Sequence, residues 1–107
     1  MEKKFVVVGL GLIGGSMALA LKGFEGFRIV GVDVSQPTLR FAREHGVADE
    51  VTENAAEAVE GADVVMLALH PQGILDFLER HRDQFKPGCL VTDVCGVKSA
   101  VMAAAEC

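Results

Sequence analysis

The chain has 107 residues, half of them hydrophobic and 23% charged, with a formal net charge of -5 at pH 7. A chain of this length buries roughly 65% of its unfolded surface, which supports one core without metals or disulfides and excludes two full domains or a disordered chain. Ten basic residues, scattered among fifteen acidic ones, make no basic stripe, which argues against a nucleic acid or an anionic membrane as partner.

In chain order the pattern alternates. Lys4 to Val8 is a β-branched and aromatic run ending in glycine, and Leu12 to Lys22 is rich in helix formers until Gly23 stops it. Arg28 to Val32 is a second short apolar run closed by Asp33. Ser35 is placed to cap a helix with Pro37 in its first turn, running to His45 and stopped by Gly46. Ala48 to Thr52 predicts a third strand, and Asn54 to Val59 a short helix begun by Asn54 or Thr52.

Val64 to Leu69 is apolar throughout, as in a strand covered on both faces of a parallel sheet. It is also the longest apolar run, far below the roughly 20 residues that cross a bilayer. Gln72 to Arg82 carries Ile74, Leu75, Phe77 and Leu78 at helical spacing, and Pro87-Gly88 turns into a fifth strand, Cys89 to Val94. A last helix begins near Lys98. His45 and His81 fall near helix ends, where a solvated side chain is the default expectation. The three cysteines, Cys89, Cys95 and Cys107, are odd in number and lack C-x-x-C spacing, so they predict reduced thiols with neither a disulfide framework nor a zinc site. Two N-terminal lysines precede an apolar stretch that glycines soon interrupt, with no clean cleavage site, and a cytoplasmic protein is expected.

Alternation with short connections predicts an α/β architecture, an open doubly wound and mostly parallel sheet. No linker divides residues 1–107. The final helix lacks a stop signal, which suggests a piece of a longer protein.

Gly9-Leu10-Gly11-Leu12-Ile13-Gly14 is G-x-G-x-x-G placed between the first predicted strand and the first predicted helix, where a Rossmann-type dinucleotide fingerprint belongs. Gly9 permits the turn, Gly11 lets a pyrophosphate approach the backbone, and Gly14 lets the helix lie near the sheet. The helix opening at Leu12 and Ile13 offers N–H groups and a positive dipole end to a diphosphate, so an acidic chain can bind an anion. Asp33, 19 residues beyond Gly14, matches the acid that accepts the adenosine ribose hydroxyls, and Val34-Ser35-Gln36 offers no arginine for a 2′-phosphate. NAD is therefore the expected cofactor, although Arg40 and Arg43 follow in the next helix.

The other strand ends, Leu69-His70-Pro71 and Asp93-Val94-Cys95, fall where such sheets receive ligands. His70 reads better as a loop residue on the adenine-ribose side than as an acid or base, since no partner is visible in the sequence. Asp93 either touches the nicotinamide end or caps the helix near Lys98. Cys95 reads as a small packed side chain.

The segments from Gly9 to Ser16 with Ala18-Leu19-Ala20-Leu21-Lys22, Gly31-Val32-Asp33, Ala62-Asp63-Val64-Val65, and Pro87-Gly88 through Thr92-Asp93-Val94 to Val97-Lys98 together resemble the N-terminal half of prephenate dehydrogenases. The resemblance implies oxidation of prephenate with NAD, a hydride passing to the nicotinamide as CO₂ leaves, giving 4-hydroxyphenylpyruvate for tyrosine biosynthesis. Arogenate is the variant substrate. It also implies a catalytic histidine beyond the last motif and a helical second domain that binds substrate and dimerises, so no catalytic residue is expected within this chain. Where the family carries a serine, this sequence has Gly96, so only backbone proximity is implied for Cys95 and Gly96. Other open readings are a different NAD(P)-linked hydroxyacid or imine reductase, and a dinucleotide sensor without chemistry.

Overall fold

The computed structural model describes residues 3–23 and 26–93. Five strands, β1 (Lys3–Val8), β2 (Phe27–Val32), β3 (Glu50–Thr52), β4 (Val64–Leu67) and β5 (Leu90–Asp93), form one parallel sheet in the order β3-β2-β1-β4-β5. Four helices connect them: α1 (Leu12–Leu21), α2 (Gln36–Glu44), α3 (Ala55–Val59) and α4 (Pro71–His81), the last continuing into a 3-10 turn at Arg82–Gln84.

The continuous apolar runs follow from burial on both sheet faces. On β1, Val6 and Val8 point into a core with Val30, Val59, Val65 and Leu67, over which α3 and α4 pack. Val7 points the other way, into a core with Ile29, Ala18 and Leu39 beneath α1 and α2. Period-2 alternation within an all-apolar strand thus serves two half-cores.

Chain progression reverses beside β1. From β1 the chain adds β2 and β3 on one side, then returns to place β4 and β5 on the other. The crevice between β1 and β4 at their carboxyl ends is the topological switch point.

Caps fix the helix starts. The Ser35 Oγ accepts the Thr38 N–H at 3.4 Å, and Asn54 Oδ1 accepts the Glu57 N–H at 3.0 Å, so Asn54 caps α3 while Thr52 Oγ1 supports it by accepting the Asn54 N–H. Several boundaries differ from the sequence reading. β4 ends at Leu67 rather than Leu69, because its partner β1 ends at Val8, which pairs with Leu67. β3 begins at Glu50 rather than Ala48, since the Asp49 carboxylate accepts the Ile29 N–H at 2.8 Å just before the strand starts. The predicted helix near Lys98 and residues Val94, Cys95, Gly96 and Val97 lie outside the described residues. Among the described residues no helix is long and apolar enough to cross a membrane.

Candidate dinucleotide site

The glycine loop joins β1 to α1 at the switch point. Gly9 has φ +93° and donates its N–H to the Val32 carbonyl at 2.7 Å. A side chain there is blocked twice, by the left-handed backbone and by the Ala68 carbonyl oxygen 2.5 Å from where its Cβ would sit. A Cβ on Gly14 would collide with the Gly9 carbonyl, so α1 can lie this near the strand only with glycine at that position. Gly11 is different: a Cβ there would meet nothing within 4 Å. It is exposed and caps α1 without a side-chain hydrogen bond, and no acid stands in the first turn. The opening N–H groups of α1, at Leu12 and Ile13, therefore have no side-chain cap, and open space lies over Gly11, a combination suited to a diphosphate.

Asp33 extends from the end of β2 back to this loop. Its Oδ2 accepts the Leu10 N–H at 2.8 Å and its Oδ1 accepts the Ser35 N–H at 2.9 Å. Sequence spacing pointed to Asp33 as a ribose partner but not to this double anchoring, which ties loop, strand and α2 entry together. Each carboxylate oxygen keeps a further lone pair for a ribose hydroxyl.

Beside Asp33 opens a cavity of about 380 Å³ between α3 and the later turns of α4. Val8, Gly9 and Val32 form its floor, Asp33, Val34 and Leu69 its near side, and Ala55, Phe77, Arg80 and His81 its far side. Of the residues named from sequence, Gly9, Asp33, Val34 and Leu69 thus line one space, while Gly11, Leu12, Ile13, Gly14 and Ser35 adjoin it through the loop and the α2 cap. His70 is exposed at the start of α4 and makes no side-chain cap bond, and Pro71 follows it as the first helical residue. Neither lines the cavity. Asp93 is half-buried at the end of β5, opposite Leu67.

His81 departs from expectation. It is 8% exposed, its Nδ1 lies 2.6 Å from Gln84 Oε1, and its ring packs 4.4 Å from that of Phe77. The 3-10 turn after α4 folds back over it, so a position that looks terminal in sequence is interior in space. Nothing in the local sequence marks Phe77, Arg80 and His81 as site residues except that Ile74, Phe77, Leu78 and His81 continue one i, i+3, i+4, i+7 stripe, the signal of this wall.

Groups with displaced pKa values lie elsewhere. Lys4, Asp63 and Cys89 surround the amino ends of β1, β4 and β5, where Asp63 accepts the Lys4 N–H and its backbone carbonyl accepts the Leu90 N–H. A second groove of about 520 Å³, between α1 and α2, is lined by neutral residues including Leu10 and Gly11 of the glycine loop, Leu19 and Phe41, and holds no titratable side chain.

A doubly wound parallel sheet with a glycine turn opening α1 and an acid ending β2 defines a nucleotide-binding domain of the Rossmann type. Residues 17–107 match the family described as "Prephenate dehydrogenase, nucleotide-binding domain", and the chain belongs to that family. It is 35% identical over 104 residues to a prephenate dehydrogenase of Bacillus subtilis, a match covering 95% of this chain and 28% of that protein. A prephenate dehydrogenase of Lactococcus lactis is 34% identical over 102 residues, with 94% and 28% covered. Among solved structures, a Synechocystis arogenate dehydrogenase superposes with a TM-score of 0.75 at 36% identity, covering 84% of this chain and 32% of that one. A prephenate dehydrogenase from A. aeolicus in complex with hydroxyphenyl propionate and NAD+ gives 0.75 at 26% identity, covering 87% and 33%. The chain thus spans about a third or less of the length of these relatives.

Proposed function

We propose that this chain is the NAD-binding half of a prephenate dehydrogenase. The observation carrying this reading is the uncapped start of α1, with open space over Gly11, adjoining a cavity whose lip is the Asp33 carboxylate. In this reading the backbone of Gly9, Gly11, Leu12, Ile13 and Gly14 receives the diphosphate. Asp33 takes the adenosine ribose, flanked by Val34, Ser35 and Leu69. His70, Pro71 and Asp93 border the rest of the cofactor's path. NAD is favoured over NADP because a 2′-phosphate beside Asp33 meets like charge, and Val34-Ser35-Gln36 contributes no cation.

Bound NAD+ supplies the hydride acceptor. The substrate contacts, the catalytic histidine and the dimer interface belong, in this reading, to a second domain of the whole enzyme, which oxidises and decarboxylates prephenate to 4-hydroxyphenylpyruvate. The 36% identity to an arogenate dehydrogenase supports arogenate as the second reading.

Calorimetric titration of this chain with NAD+ and NADP+ tests the cofactor assignment, with binding of NAD+ and a clear preference over NADP+ expected. Assay of the full-length enzyme with prephenate and with arogenate separates the two substrate readings, and no turnover of either overturns both.

A further inference from the structure

Building on the assignment of the Asp33 cavity to adenosine, we infer that Arg80 closes the adenine end of the site, laying its guanidinium plane against the purine. The cavity is apolar at its floor and sides, with Val8, Val32, Ala55 and Phe77, a surface suited to a flat aromatic base. Arg80 is the one side chain on its lining with a permanent positive charge. It is exposed, and among the described residues it has no ion-pair partner. Neither carboxylate lining the cavity pairs with Arg80: Asp33 accepts from Leu10 and Ser35, and Glu53 accepts from the Gln36 side chain at 2.7 Å. An arginine left in this way at the mouth of an apolar slot is free to stack.

The alternative task for such a cation, pairing with a 2′-phosphate, requires the phosphate to sit at the ribose 2′ position, beside the Asp33 carboxylate. Like charge opposes it there. A neutral purine face meets no such opposition, and a planar, weakly hydrated guanidinium covers it by cation–π and stacking contact, which the compact ammonium of lysine does poorly. Arg80 thus selects for an aromatic base and adds affinity through the adenosine half of the cofactor alone.

The test is calorimetric titration of the wild-type chain, Arg80→Ala and Arg80→Lys with AMP, NAD+ and NADP+, with thermal melts as a folding control. Expected are unchanged melting, a loss of about tenfold for AMP and NAD+ alike in Arg80→Ala, and little recovery in Arg80→Lys. Full recovery by lysine, a loss confined to NADP+, or wild-type affinity in Arg80→Ala overturns the stacking role while leaving the cofactor assignment intact. Failure of the wild-type chain to bind NAD+ overturns the cofactor assignment itself, and the role of Arg80 with it.

Discussion

The Asp33 carboxylate accepts the backbone N–H of Leu10 at 2.8 Å, so the acid at the end of β2 holds the glycine loop in place before any ligand arrives. Asp33→Ala is therefore expected to damage the free protein as well as binding. Hydrogen bonds to a charged group each contribute about 1.5–3 kcal/mol, and the substitution leaves both the Leu10 and the Ser35 amides without this acceptor. Urea unfolding without ligand should show a loss of this order or more, and Asp33→Asn, which keeps one acceptor oxygen, a smaller one. Unfolding midpoints equal to wild type in both variants overturn the anchoring role, whatever happens to NAD+ affinity.

The fingerprint glycines divide into two kinds, and substitution should separate them. Gly14→Ala forces a methyl into the Gly9 carbonyl and to 3.0 Å from Ala68 Cβ, where neither backbone can yield without moving α1. Overpacking of this type costs about 1–3 kcal/mol or more, and thermal melts should show it. Gly11→Val meets open space and should melt near wild type, while its branched side chain occupies the diphosphate position and abolishes NAD+ binding in calorimetry. Retained binding in Gly11→Val moves the diphosphate elsewhere.

The sheet was legible in the sequence because strand burial and glycine punctuation are local signals. Lys4 to Val8 reads as a β-branched strand ending in glycine and Val64 to Leu69 as a doubly covered one, and Gly9 and Gly14 stand where only a turn and a close approach explain both. What was not legible depends on long-range geometry. The anchoring of Leu10 by Asp33 joins residues 23 apart, and no spacing rule separates an acid that binds ribose from one that also ties a loop. The cavity wall at Phe77, Arg80 and His81 arises from how α4 lies beside α3, and the burial of His81 from a turn that returns over the helix end. The apolar run of β4 continues two residues past the strand, because the strand's end is set by its neighbour β1 and not by its own composition.

His81 supplies a direct check on that wall. Its ring fills space against Phe77 and its Nδ1 pairs with Gln84 Oε1 at 2.6 Å. His81→Ala removes both the packing and the hydrogen bond, and a loss of about 1–3 kcal/mol in chemical unfolding is expected. His81→Gln can keep a polar contact to Gln84 but not the ring packing, and should fall between. A surface histidine at a frayed helix end would show neither effect.

The amino end of the sheet carries one acid-sensitive pair. The Lys86 ammonium hydrogen-bonds the Asp63 carboxylate at 2.7 Å, and the Lys4 backbone N–H donates to its other oxygen at 2.8 Å; together they hold the carboxyl below its ordinary value. A carboxyl depressed in the folded state binds protons more tightly when unfolded. Its contribution is thus present in full above the unfolded value of about 3.9 and is lost as pH falls through the lower folded value. Asp63→Asn has no charge to lose at this site at any pH. Wild type should therefore exceed Asp63→Asn in stability by a constant margin from neutrality down to about pH 5, and the margin should shrink below about pH 4. Lys86→Met, which removes the larger cause of the depression, should narrow that acid-dependent change while leaving the Lys4 contact. Urea unfolding at pH 7, 5 and 3 measures all three proteins, and a margin that stays constant into acid shows that the pair contributes nothing through charge.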